Sequence, residues 1–447
     1  METDEGPAYP GRRARVGWVL YDFAQQPVFT LITTFIFAPY FAAVVAGDPV
    51  RGQSLWALAV ALAGLAIAVL SPVLGAIADE AGRRKRWIAA FGVLQITACT
   101  ALWWAEPGAV TLALFAFGLA TLSAEFGIVF TNALMPSLAP PHRLGRLSGT
   151  GFAAGYVGGV LSLVVVLVFL TGGADGTTLL GTDPVLGLGD IAYGGERMVG
   201  PLSALWFAVF AVPFLLFTPD RTPARPLGEA IHAGLATLGA TLRRVRALRN
   251  VMLFLLARML YADGLAALFA FGAIYASGVF GWGTTELGLF GVLLALTAAL
   301  GAYLGGRLDD ALGPKPLVAG ALVLLIGASL VVVGLGPNSV LGVATPDPDG
   351  LFAGTAERVY LGVAALIGLG SGPVQSASRT LLARLAPPDA MTAFYGLYAF
   401  SGRATSFAAP LLISATTALF ASQKAAVIVV IGFLGAGLLL LVFVRNE

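Results

Sequence analysis

Asp22, Glu125, Arg258, Asp263, Arg379 and Arg403 lie inside long apolar runs of this 447-residue chain. Their neutral polar companions are Gln25, Gln26, Asn132, Gln375, Ser376 and Ser378. A charge is costly in a hydrocarbon interior, so one kept there is expected to bind a ligand, carry a proton or pair with another charge. A carboxylate can hold a cationic group or a proton, and a guanidinium can hold a carboxylate. An amide can orient a polar ligand or cross-link two helices.

The elements that must position these groups follow from composition. The chain is 58% hydrophobic and 11% charged, about half the charged share usual in soluble domains. A spanning helix needs ~20 mostly apolar residues. Runs of that kind fall at 16–45, 54–78, 87–105, 109–135, 148–171, 199–218, 251–277, 284–306, 316–336, 359–383, 391–419 and 425–444. They are continuously apolar and rich in Leu, Ala and Gly rather than alternating, so twelve transmembrane helices are expected, not strands. The fold class is therefore an all-α membrane protein. Residues 1–219 are expected to form an N-terminal six-helix bundle, 220–250 a linker and 251–447 a C-terminal six-helix bundle. Residues 1–15 begin acidic and precede a run too long for a secretory signal core, so the first segment is expected to remain in the mature protein. The lone Cys99 reads as a small core residue and allows no intramolecular disulfide.

Loop charge sets the orientation. The loops after even-numbered segments carry Arg83, Arg84, Lys85, Arg86, Arg143, Arg146, Arg221, Arg225, Arg307, Lys315 and Arg384. Those after odd-numbered segments carry mainly Asp48, Glu106, Asp175, Asp183, Asp190, Glu196, Glu286, Asp347 and Asp349. Basic loops stay cytoplasmic, so a multi-pass protein of the plasma (inner) membrane with both termini inside is expected. Pro219, Pro223 and Pro226 make the start of the linker irregular. Beyond them Leu227, Ile231, Leu235, Leu238, Leu242, Val245 and Leu248 recur at helical spacing, interleaved with Arg243, Arg244 and Arg246. That pattern predicts an amphipathic helix on the inner membrane surface. The outer loops 172–198 and 337–358 are rich in Gly, Asp and Pro and are expected to be turns or caps.

One loop pattern occurs twice. Gly75, Asp79, Gly82 and Arg84 have the spacing of Gly306, Asp310, Gly313 and Lys315, each set closing one apolar run before the next. LAPP likewise recurs at 138–141 and 385–388. The doubled loop resembles the signature loop of the major facilitator superfamily. The resemblance implies two six-helix parallel repeats, a substrate held near the midplane between them, and these eight residues acting as a cytoplasmic gate. It also implies that the first and fourth segments of each half line the central cavity. Asp22 and Gln25 are on segment 1, Glu125 and Asn132 on segment 4, Asp263 on segment 7 and Gln375 on segment 10, whereas segments 3, 6, 9 and 12 are nearly devoid of polar groups, as suits lipid-facing helices.

Asp22, Gln25, Asp263, Gln375 and Arg403 are accordingly the expected substrate-binding residues, and Glu125 and Asp263 the expected proton-coupling ones. Asp263 and Arg403 both fall near the midplane and are expected to pair. Asp22 reads equally as a gate or structural residue. Gln375 and Asn132 read equally as helix cross-links, and Arg379 as a cation snorkelling to the interface. Residues 17–26 (GWVLYDFAQQ), 255–264 (LLARMLYADG), 372–382 (GPVQSASRTLL) and 394–410 (FYGLYAFSGRATSFAAP) resemble the vacuolar-effluxer branch, related to the autophagy-linked amino-acid exporters of fungal vacuoles. Gln25-Gln26-Pro27 departs from that branch, which more often has small polar residues there. The resemblance implies export of amino acids or similar small polar solutes.

The expected function is a secondary-active or facilitative transporter working by alternating access, with proton coupling open. The alternative is a transporter-fold receptor, sensor or lipid mover. No GxxxxGK[ST] loop for nucleotide phosphates occurs. His142 and His232 are the chain's two histidines, both in cytoplasmic segments, so neither an enzyme nor a metal or cofactor site is expected. The expected partners are a small polar solute and the lipid bilayer, without nucleic acid, and the protein is expected to act as a monomer.

Overall fold

The computed structural model describes residues 9–172, 176–220, 225–346, 350–420 and 423–445. The charges assigned to Arg221, Asp175, Asp347 and Asp349, the role of Pro223, the reading of residues 1–8 and the side chains of Leu238 and Leu242 lie outside the described residues.

Long apolar helices account for most of the chain. They are α1 (Arg12–Val45), α2 (Pro49–Ala81), α3 (Arg84–Trp104), α4 (Val110–Ser137), α5 (Pro141–Leu170) and α6 (Gly194–Phe217). The linker helix α7 (Leu227–Ala247) follows. Then come α8 (Arg249–Phe280), α9 (Thr284–Leu312), α10 (Pro314–Val333) and α11 (Thr355–Leu385), and finally α12 (Met391–Ser401), α13 (Ala408–Phe420) and α14 (Gln423–Val442). Eleven helices among the described residues are long and apolar enough to cross a membrane. The twelfth span is divided: residues 391–419, expected as one helix, form α12 and α13 with a run of turns at 402–407. Pro410 in the first turn of α13 explains the break, since it has no N–H to give and crowds the carbonyl four residues back. Pro27 acts on α1 similarly, followed there by wide π-type turns at Val28–Phe35.

The chain forms two compact units. Among the described residues the first holds 9–140, 154–238 and 389–396, and the second holds 141–153, 239–388 and 397–445. Within the first, α1 packs on α6, α3 on α4 and α6, and α2 on α4. Within the second, α8 packs on α14, α10 on α11 and α14, and α9 on α11. These pairings are the same once helices are numbered from the start of each half, so the repeat seen in the loops extends to the packing. Close approach is bought with glycine: a Cβ on Gly17 of α1 would lie 2.7 Å from the Pro213 carbonyl oxygen of α6, and one on Gly437 of α14 would lie 2.8 Å from Tyr261 Cβ of α8.

Outward faces are apolar. Leu205, Val209, Val212 and Leu216 on α6, and Leu296, Leu300 and Leu304 on α9, are exposed at helical spacing, as lipid contact requires. On α7, Ala230 and Gly234 are buried, the latter against Ile77 of α2, while Leu227, Ile231 and Leu235 are exposed. Leu335–Gly336, Ser339–Val340 and Val343–Ala344 form a small antiparallel meander at the start of the second outer loop.

Candidate functional site

α2 ends on Gly82 (φ 78°) and α9 on Gly313 (φ 89°), backbone conformations that favour glycine. One turn before each, an aspartate meets the opening amides of the fifth segment of the other half-sequence. Asp79 accepts from the Thr392 N–H at 3.1 Å, the Thr392 hydroxyl at 2.6 Å and the Ala393 N–H at 2.9 Å, at the start of α12 within the first unit. Asp310 accepts from the Gly145 N–H at 2.8 Å and the Arg146 N–H at 3.3 Å, at the start of the main helical stretch of α5 within the second unit. Each carboxylate therefore sits on the positive end of a helix dipole and supplies acceptors for otherwise unpaired amides. Gly75 and Gly306 permit the approach: a Cβ on the first would lie 2.6 Å from the Thr392 carbonyl oxygen, and one on the second 2.5 Å from that of Gly145.

The basic positions of the two loops differ. Arg84, 2% exposed, donates to Asp79 at 2.7 Å and to the Ala133 carbonyl at 2.9 Å. Lys315 instead donates to the Val442 carbonyl at the end of α14, 3.1 Å away. In the second unit the buried ion pair is made by Asp309, which accepts from Arg384 at 3.1 Å and from the Thr380 hydroxyl. Arg379 does not snorkel. It is 2% exposed, donates to the Ser148 hydroxyl and carbonyl at 2.9 and 2.8 Å, and lies over the Phe152 ring. These contacts offset the loss of water at the guanidinium.

In the first unit, the inward face of α1 carries an internal polar chain. Trp18 donates its indole N–H to the Thr131 carbonyl at 2.9 Å. Gln25 donates to the Tyr21 hydroxyl at 3.0 Å and accepts from Gln95 of α3 at 2.9 Å. Gln25 is 2% exposed, so its amide is engaged in joining α1 to α3, and the buried Oε1 of Gln95 lacks a hydrogen-bond partner. Asp22 is half-buried, and its main chain lies beside Gly155 of α5. Glu125 is half-buried and Asn132 buried on α4.

The second unit gathers its polar groups at the break between α12 and α13. Asp263 lies fourteen residues into α8, about 21 Å from its start at 1.5 Å per residue. It is 2% exposed, and among the described residues its Oδ2 has no hydrogen-bond partner. Its neighbours are Thr405, in the break, and the positive charge of Arg258. Arg403 lies half-buried in the break itself, and Arg258, on the same helix as Asp263, is a cation acting on that carboxylate. The Thr405 hydroxyl is buried beside Asp263 and, among the described residues, makes no hydrogen bond of standard geometry.

Arg258 holds the other side of the break. It donates to the Tyr398 carbonyl at 2.6 Å and the Ser401 hydroxyl at 2.8 Å, with its guanidinium 3.4 Å from the centre of the Tyr398 ring. A cation thus caps the negative C-terminal end of α12. A Cβ on Gly402 would fall 2.7 Å from Arg258 Nη1, so the guanidinium needs glycine there. Gln375, half-buried on α11, donates weakly to the Ser371 carbonyl at 3.4 Å.

The comparisons decide the family. Residues 41–447 match the family model described as vacuole effluxer Atg22 like. The chain belongs to the Atg22-like vacuole effluxer family. An uncharacterized MFS-type transporter of Bacillus subtilis, YxiO, is 24% identical over 434 residues, 96% of this chain and 94% of that one. Autophagy-related protein 22 of Cryptococcus neoformans is 27% identical over 277 residues, 59% of this chain. That alignment spans 44% of the fungal protein, less than half its length. Among solved structures, the E. coli fucose:proton symporter FucP superposes with a TM-score of 0.69 at 12% identity, covering 97% of this chain and 98% of that one. The human organic anion transporter MFSD10 gives 0.67 at 18%, covering 96% and 99%. The fold is the twelve-helix major facilitator fold, and the chain is a multi-pass membrane transporter.

Several working residues of this Atg22-like chain escaped sequence reasoning. Gln95 sits on a segment read as nearly devoid of polar groups; the amide was its signal. Asp309 was passed over beside Asp310, although two adjacent acids are conspicuous in a chain so poor in charge. The capping role of Arg258 had no local signal, because Tyr398 is 140 residues away in sequence.

Proposed function

We propose that the chain is a secondary-active or facilitative transporter of a small, amino-acid-like polar solute, working by alternating access. The observation that carries this reading is the buried Asp263 carboxylate oxygen without a hydrogen-bond partner, facing a break in a membrane helix that itself holds Arg403. Broken membrane helices with buried polar groups are a recurrent way to bind polar solutes at mid-membrane depth. Asp263 takes the solute's ammonium and Arg403 its carboxylate. Gln375 adds a polar contact within the second unit; within the first, Asp22 and Gln25 are the candidate solute-binding groups, Gln25 through its bonds to Tyr21 and Gln95. Glu125 and Asp263 are the proton carriers if transport is coupled to protons. The family's description as a vacuole effluxer supports a transport role.

In this reading Asp79 and Asp310, with Gly75, Gly82, Arg84, Gly306, Gly313 and Lys315, form cytoplasmic latches whose helix caps break and re-form in each cycle. The excess of basic residues in alternate loops supports cytoplasmic termini. The solute class is tested by thermal-shift screening of amino acids, peptides, sugars and polyamines on the detergent-purified chain. A ligand bound to the folded state raises the midpoint as its concentration passes its dissociation constant. Amino acids are expected to stabilise the wild type and to lose the effect in Asp263→Asn. Stabilisation by sugars or polyamines alone would overturn the assignment.

A further inference from the structure

Away from the Asp263 break, the second unit holds a partly open cavity of about 150 Å³ among α8, α9, α10, α11, α13 and α14, with the exposed Ile274 at its rim. Its walls are apolar and aromatic, with Leu268, Phe290, Leu294 and Ile367 beside the rings of Tyr275 and Tyr360. Both tyrosine hydroxyls are turned into the main chain: Tyr275 donates to the Val332 carbonyl at 3.0 Å and Tyr360 to that of Gly272 at 2.7 Å. Rings, not hydroxyl hydrogens, are therefore what these residues offer the cavity. Tyr275 lies twelve residues beyond Asp263, about 18 Å along α8, so the cavity is a separate place from the break.

Two polar atoms interrupt the apolar lining. Thr417 of α13 and Gln423 at the start of α14 both line the cavity, and among the described residues the buried Thr417 Oγ1 and Gln423 Oε1 have no hydrogen-bond partner. Buried polar atoms are normally paired, and such exceptions call for an explanation. The Gln423 amide packs against Gly278, where a Cβ would displace it. An apolar chamber with a few convergent polar groups is the usual form of a small-molecule site. An engineered apolar cavity of about this volume takes up a single-ring aromatic.

We infer that this cavity is a binding site for a neutral one-ring aromatic molecule carrying a hydroxyl or N–H group. The ring packs between Tyr275, Tyr360 and Phe290. Its polar hydrogen goes to Gln423 Oε1, and its oxygen accepts from the Thr417 hydroxyl. A charged ligand is excluded because no charged residue lines the chamber. A lipid acyl chain fills the volume but leaves both polar atoms unpaired, and so is the weaker match.

The test compares p-cresol with toluene, molecules of one shape that differ by the hydroxyl, using ligand-observed NMR on the full chain in detergent with the empty-micelle signal subtracted. Saturable p-cresol binding at least tenfold tighter than toluene is expected for the wild type. Thr417→Val combined with Gln423→Met should erase that preference while leaving toluene binding in place. Gly272→Leu, which fills the chamber, should abolish both; if that variant does not fold, Ala426→Leu serves instead. Equal affinity for the two compounds in the wild type, or binding unchanged in the filled variants, would overturn the inference. Neither readout depends on solute flux, so the outcome is independent of the transport reading.

Discussion

At the scale of single residues, the charges of this chain fall into two kinds. Asp79, Asp310 and Arg258 are bonded to helix ends, where a charge stabilises by about 0.3–1 kcal/mol, or up to ~2 kcal/mol when partly buried. Asp263 is different, since one of its oxygens is buried without a hydrogen-bond partner. An atom left so costs about 1–3 kcal/mol, a cost more readily understood in a binding group than in a structural one. Asp79→Asn removes the negative charge and one acceptor from the α12 cap, and with them a latch contact worth up to ~2 kcal/mol. The expected outcome is a roughly tenfold change in transport rate with solute affinity nearly unaltered, read by comparing counterflow rates with equilibrium binding. A change confined to affinity would remove Asp79 from the latch. Glu125→Gln should abolish accumulation driven by a pH gradient while sparing solute exchange; intact pH-driven accumulation would exclude Glu125 as the proton carrier.

At the scale of elements, the divided span formed by α12 and α13 carries the most consequence. The opening amides of α12 bond to Asp79, its last carbonyls are capped by Arg258, and the turns beyond it hold Arg403 and Thr405. Gly402→Ala places a methyl group 2.7 Å from Arg258 Nη1, which must then move. Amide hydrogen exchange across 398–410 should speed up, and Arg258→Lys, which loses both the fork geometry and the stacking on Tyr398, should have the same effect. Unchanged protection in both variants would show that the break is held by other contacts. The existence, order and number of the spans were legible in the sequence because continuous apolar runs leave few alternatives in a bilayer. The break was not, since 391–419 is apolar throughout and Pro410 alone does not distinguish a kink from an interruption. The surroundings of Asp263 were not legible for a related reason: which side of a broken helix a side chain occupies depends on turn geometry that periodicity does not encode.

At the scale of the whole molecule, the duplication visible in two short loops extends to helix packing, since both halves pair their first helix with their sixth and their third with their fourth. The copies are not identical in use. Arg84 bonds to its loop aspartate, whereas Lys315 bonds to the end of α14 and the ion pair passes to Asp309 and Arg384. Arg84→Gln should therefore slow transport more than Lys315→Gln, as initial rates in vesicles would show; equal effects would indicate interchangeable latches. The proposed topology is open to labelling, because Cys99 is the chain's one cysteine and is buried. Cysteines introduced at Lys85 or Arg384 in a Cys99→Ala background should react with membrane-impermeant maleimide only after permeabilisation, and one at Glu106 without it.

The central claim is that Asp263 and Arg403 hold the transported solute, and counterflow of a radiolabelled amino acid into proteoliposomes tests it most directly. Wild-type protein should exchange the label against unlabelled amino acid inside, while Asp263→Asn and Arg403→Ala, reconstituted at equal density and folded, should fall to the protein-free background. Flux retained at the wild-type rate in both variants would contradict the account.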